Sequence, residues 1–202
     1  SYDIIAHETT HAILDGMYPR FTEPSNPDVL AFHEAFADIV AIFQHFTFPE
    51  LLRHQIALLH GDLTLESLLS DLARQFGQSL HNGRALRRAL DPALRRLPDP
   101  AAGASADAGG PPLKTYRDTI EPHERGAILV AAVYDAFVAV YTAASADLLR
   151  LATGGSGVLR AGAIHPDLVE RLAQTAVGAA QRVLTTCIRA IDYMPPVDPS
   201  FG

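Results

Sequence analysis

In this chain apolar residues return every three to four positions over long runs, and no run alternates with the period of two that a strand needs. From Asp28 to Phe46, the residues Leu30, Phe32, Phe36, Ile39, Val40 and Phe43 mark a strongly buried helix. A second long buried helix is expected from His123 to about Leu151. A last one runs from Asp167 to about Ala190, stopped by Pro195 and Pro196. Residues 2–16 read as a helix with Ile4, Ile5, Ile13 and Leu14 as its apolar positions, ended by Gly16 and Pro19. Shorter helices are expected from Pro49 to about His60, over 64–80 and over 84–96. The stretch 98–113, rich in proline, glycine and alanine without periodicity, reads as a flexible loop, and 153–157 as a linker. The expectation is a mainly α fold forming a single helical domain over residues 1–202.

Composition narrows the function classes. A net charge of −7 disfavours nucleic acid and anionic membrane surfaces as main partners. Cys187 is the only cysteine, which excludes an intramolecular disulfide and leaves the redox compartment unreadable. The most apolar stretch, Ala127 to Tyr141, is short for a bilayer span and contains Asp135, so a core helix is expected rather than membrane insertion. No signal peptide is visible, and localisation and oligomeric state are not readable from the sequence. The chain opens at Ser1 only a few residues before its main motif, which predicts a fragment of a longer protein.

That motif is His7-Glu8-Thr9-Thr10-His11. On a helix, positions four apart share a face, so His7 and His11 can aim imidazole nitrogens at one ion. Glu8 sits beside the same face, where its carboxylate can serve as a general base. A helix can also carry two surface histidines with no role, and a catalytic zinc site needs a third protein ligand. The next helix offers one. Glu34 and Asp38 are four apart and share a face. Glu34 can ligate a metal, and Asp38 can accept the free ring N–H of a ligand histidine. Two acids set among Phe32, Phe36, Ile39 and Val40 would be costly to bury without such partners.

Ile4-Ile5-Ala6-His7-Glu8-Thr9-Thr10-His11-Ala12, followed by Glu34-Ala35-Phe36-Ala37-Asp38-Ile39, resembles the thermolysin-like zinc metallopeptidases, or gluzincins. The pattern with a third histidine on the same segment is not met, because Leu14 and Met17 stand at its glycine and histidine. The resemblance implies a helical lobe in which the motif helix packs on a second ligand-bearing helix, like the C-terminal lobe of those enzymes. It implies one zinc per chain on His7, His11 and Glu34, with Glu8 as general base and a peptide or protein as substrate. Asp118-Thr119-Ile120-Glu121-Pro122-His123 resembles the family's later segment, which makes His123 the donor to the transition-state oxyanion and Asp118 its orienting partner. Ala93-Leu94-Arg95-Arg96-Leu97-Pro98-Asp99-Pro100 resembles another segment, which makes Arg95 the arginine that holds a substrate carbonyl. Glu121 and Glu124 read as acids favourable to a helix start.

The chain departs from the pattern in places. His33 replaces the asparagine before the third ligand, and His45 stands where the family has a calcium-binding glutamate, so no calcium is expected. Tyr18 stands where the family often has an active-site tyrosine, and loop packing is an equal reading for it. The resemblance implies a missing β-rich N-terminal lobe and weak cleavage by this chain alone. An exopeptidase or other amide hydrolase on the same zinc, and a non-cleaving metal-stabilised module, remain alternatives.

Overall fold

A computed structural model describes residues 2–63, 116, 118–160 and 162–201. Five α-helices run through them: α1 (Tyr2–Met17), α2 (Pro27–Gln44), α3 (Pro49–Leu58), α4 (Pro122–Ala152) and α5 (Pro166–Ile191). Short 3₁₀ turns at Pro19–Thr22 and His45–Thr47 follow α1 and α2. The fold is mainly α, with no strand among the described residues. The helices expected over 64–80 and 84–96, the loop at 98–113 and Arg95 lie outside the described residues.

Local chemistry explains where the helices begin. Pro27, Pro49, Pro122 and Pro166 each stand in the first turn of their helix. A proline costs no hydrogen bond there, and its fixed φ already suits the helix. Asn26 caps α2 by accepting from the Asp28 amide at 2.8 Å, and Glu121 caps α4 by accepting from the Glu124 amide at 2.7 Å. After α3 the chain turns back through Gly61, whose φ of +77° is a left-handed conformation that glycine takes without strain.

α2 is the central element. It packs against α1 on one side and against α4 and α5 on the other. The larger core joins Ile39, Phe43 and Phe46 to Ile56 of α3, Tyr134 and Phe137 of α4, and Leu172 of α5. Each such aromatic or aliphatic side chain contributes about 1.5–3 kcal/mol on leaving water. Tyr134 and Tyr141 keep their hydroxyls satisfied there by donating to the carbonyls of Leu63 and Gly61. A smaller core holds Leu14, Phe21, Phe32, Phe36 and Ile191 together beneath the α1–α2 contact, with Cys187 half-buried at its edge.

Two expectations change. Of the apolar positions on α1, only Leu14 is buried, while Ile4, Ile5 and Ile13 are 45%, 64% and 55% exposed. The face that α1 turns to α2 carries His7, Thr10 and Leu14, so polar residues set its orientation. α4 is buried along one stripe only, through Gly126, Ala127, Val130, Tyr134, Phe137 and Tyr141. By length and composition α4 and the stretch Pro27–Thr47 are each long and apolar enough to cross a membrane. The core helix of a soluble protein shares that character, and 72% of the α2 segment is buried inside the protein against 33% of that in α4.

Candidate metal centre

α1 and α2 pack antiparallel, so positions later on α1 meet positions earlier on α2. His7 meets Glu34 and Asp38, His11 meets Glu34 and His33, and Asp15 meets His33. The register follows from the spacing. Residues 7, 11 and 15 form one line along α1, and Glu34 and Asp38 form the matching line on α2.

At the centre, His7 Nε2 lies 2.9 Å from His11 Nε2, and Glu34 Oε2 lies 3.5 Å from the first and 3.7 Å from the second. A point equidistant from these three atoms is about 2.0 Å from each, which is the length of zinc's bonds to histidine nitrogen and carboxylate oxygen. The three residues are thus a group able to hold a metal ion.

The neighbouring bonds decide where the ring protons sit. His7 Nδ1 is 2.8 Å from Asp38 Oδ1. The carboxylate is thus an ion-pair partner at Nδ1, and the ring can ligate a metal only in its neutral form with Nε2 free of its proton. On the other side, His33 Nε2 is 3.0 Å from Asp15 Oδ1, and His33 Nδ1 is 2.5 Å from His11 Nδ1. An ionised carboxylate only accepts, so His33 donates to Asp15 and accepts from His11. His11 therefore presents an unprotonated Nε2. Once a ring proton leaves this side, two imidazole nitrogens and a carboxylate oxygen converge on one point where a cation fits.

Without a cation, a proton held by the two carboxylates takes that place. Burial pushes the His7 imidazole down, but Asp38 and Glu34 beside it outweigh burial and raise it to about 9. Burial pushes Glu34 up, but His11 and His7 outweigh it and hold the carboxyl well below the usual carboxylate range. For His33, burial and then the neighbouring His11 keep the ring below its ordinary value, so it stays neutral as its bonding requires.

His123 lies at the start of α4, with Nε2 3.3 Å from Glu34 Oε2 and Nδ1 2.7 Å from Glu121 Oε1. Burial lowers this imidazole, but Glu121 and then Glu34 outweigh burial and raise it above its ordinary value. The place expected for Asp118 at Nδ1 is taken by Glu121. As the N-cap, Glu121 is fixed two residues before His123 and reaches the ring directly. Asp118 is exposed in the turn before α4. Glu8 is exposed on α1, one residue past His7. Tyr18 donates to Asp192 at 3.3 Å and stacks on Phe21, which is a packing arrangement.

A buried network sets the distance between α4 and α2. Arg125 bonds Asp28 through Nε and donates to the carbonyls of Tyr116 and Thr119 at 2.6 and 2.7 Å. Asp28 also accepts from the Tyr116 hydroxyl at 2.5 Å and from the Phe201 amide at 3.1 Å. Beside this network, a Cβ built on Gly126 would lie 2.7 Å from the Ala31 carbonyl oxygen, so the two backbones touch there. His123 and Glu34 flank this contact, which fixes their separation.

The sequence reading missed three partners: Asp15, His33 and Glu121. The 7–11–15 spacing was a visible signal for Asp15. Nothing local marked His33, because its role depends on the antiparallel packing of α1 on α2. No protein-family model, curated protein or solved structure matches the chain, so the geometry carries the functional argument by itself.

Proposed function

We propose that this chain is the catalytic part of a thermolysin-like metallopeptidase, holding one zinc ion on His7, His11 and Glu34 and hydrolysing peptide bonds. The convergence of His7 Nε2, His11 Nε2 and Glu34 Oε2 on one point supports this reading most. When bound, the ion supplies Lewis-acid polarisation of a carbonyl and brings the pKa of a water down to about 7.

The remaining chemistry belongs to the chain. Glu8 takes the proton of a water as its oxygen bonds to the carbonyl carbon, then returns it to the amine nitrogen as the C–N bond breaks. His123, at the edge of the cluster, donates from Nε2 to the oxygen that becomes negative. Glu121 holds that ring by its Nδ1. Arg95 is proposed to grip a substrate carbonyl on the strength of the resemblance alone.

Elemental analysis of protein purified without added zinc, alongside His11→Ala, tests the metal site. One zinc per chain in the parent and none in the variant supports it. A parent that takes up no zinc even when it is supplied overturns it.

A further inference from the structure

The ring planes of His11 and His33 are 8° from parallel, with centroids 4.7 Å apart and Nδ1 atoms 2.5 Å apart. Ring bonds near 1.33 Å put each nitrogen about 1.1 Å from its ring centre. Both nitrogens must then lie almost on the line joining the two centres. The rings meet edge to edge, and the N–H direction of one points along the lone pair of the other. That is a linear N–H···N hydrogen bond, although the near-parallel planes alone could suggest face-to-face stacking. Beyond it, His33 Nε2 reaches Asp15 Oδ1 at 3.0 Å. His33 is buried and Asp15 stands at the solvent edge with its side chain 53% exposed.

From this geometry we infer that His33 and Asp15 are positioning residues: they hold His11 with its proton on Nδ1, leaving Nε2 free to bind the ion. The direction of the relay comes from Asp15. Its carboxylate can only accept, so His33 must donate from Nε2 and accept at Nδ1, and His11 must donate from Nδ1. The metal part of the inference rests on the proposed zinc site; the tautomer part does not. Partners of this kind are worth roughly 10- to 100-fold in metal affinity. At His7 the carboxylate stands directly beside the ring, with Asp38 Oδ1 2.8 Å from Nδ1. The two ligands of one site are thus oriented by unlike means, one through a direct acid and one through an intervening imidazole.

The experiment has a metal-free and a metal-bound arm. Long-range ¹H–¹⁵N correlation spectra of the metal-free chain read the His11 tautomer, and competition against a chelator at fixed pH reads zinc affinity. In the parent, His11 should carry its proton on Nδ1. Asp15→Asn, at an exposed position that spares the fold, should populate the other tautomer, because an amide can donate to His33 and reverse the relay. His33→Phe keeps a ring but removes the acceptor, and should bind zinc roughly 10- to 100-fold more weakly. His33→Asn restores an acceptor at the δ position and should recover most of that loss. In its background, Asp15→Asn should have no further effect. A parent His11 protonated on Nε2 overturns the inference, as does unchanged zinc affinity in His33→Phe. A parent with the expected tautomer that takes no zinc supports the relay and overturns only the metal reading.

Discussion

Replacing Gly126 with alanine sets two effects of opposite sign against each other. Gly126 lies in the second turn of α4, where glycine is disfavoured relative to alanine by about 1 kcal/mol. Helix propensity alone therefore predicts stabilisation. The packing predicts the reverse. The added Cβ would lie 2.7 Å from the Ala31 carbonyl oxygen and 3.2 Å from the Ala35 amide nitrogen, both backbone atoms of α2 that cannot rotate away. A carbon meets a carbonyl oxygen comfortably at about 3.3 Å or more, so α4 must retreat by about half an ångström. Overpacking of this kind costs about 1–3 kcal/mol, and a backbone neighbour belongs in the upper part of that range. The net effect is a loss of about 1–2 kcal/mol, or about 3–6 °C in Tm for a chain of this size. Gly178→Ala is the control, since no described atom lies within 4 Å of its Cβ position in α5. It should show the propensity gain undiminished. Thermal unfolding followed by circular dichroism reads both. If Gly126→Ala raises Tm as Gly178→Ala does, the close approach of α2 and α4 is wrong, and with it the placing of His123 beside Glu34.

Other outcomes follow from named groups. Glu8→Gln should keep its zinc by elemental analysis yet lose nearly all peptide hydrolysis, since the amide cannot take a proton; an active variant would remove Glu8 from its assigned role. Asp28→Asn leaves the Arg125 guanidinium buried without its counter-charge, and breaking such a pair costs about 3–5 kcal/mol. Urea unfolding at neutral pH measures that loss, and a change under 1 kcal/mol would show that the network does not pin α4. Acid should act through the same carboxyl. Burial raises Asp28, but Arg125, Tyr116 and the Phe201 amide outweigh it and hold the group below its ordinary 3.8. A depressed folded value means that its stabilisation is present above the unfolded pKa and lost as pH falls through and below about 4. Parent Tm measured across that window should drop more steeply than that of Asp28→Asn, which has no such proton to gain.

The sequence by itself determined the helices and the core of the cluster. Long 3.6-period runs are helices throughout the described residues, and Pro49 marked where α3 begins. Two histidines four apart and two acids four apart each had to share a helix face, because that spacing is covalent geometry. Only the tertiary structure decided which face of α1 points inward. The isoleucines suggested an apolar seam, yet the buried line runs through His7, Thr10 and Leu14, where bonds to α2 satisfy the polar groups. The structure likewise decided that His33 completes the far side of His11 and that Glu121 meets His123. The first depends on the register of two antiparallel helices, and the second on a cap that closes only once α4 has formed. Residue spacing along one helix is fixed by the chain, whereas pairing between helices is fixed by packing, and this site is made of both.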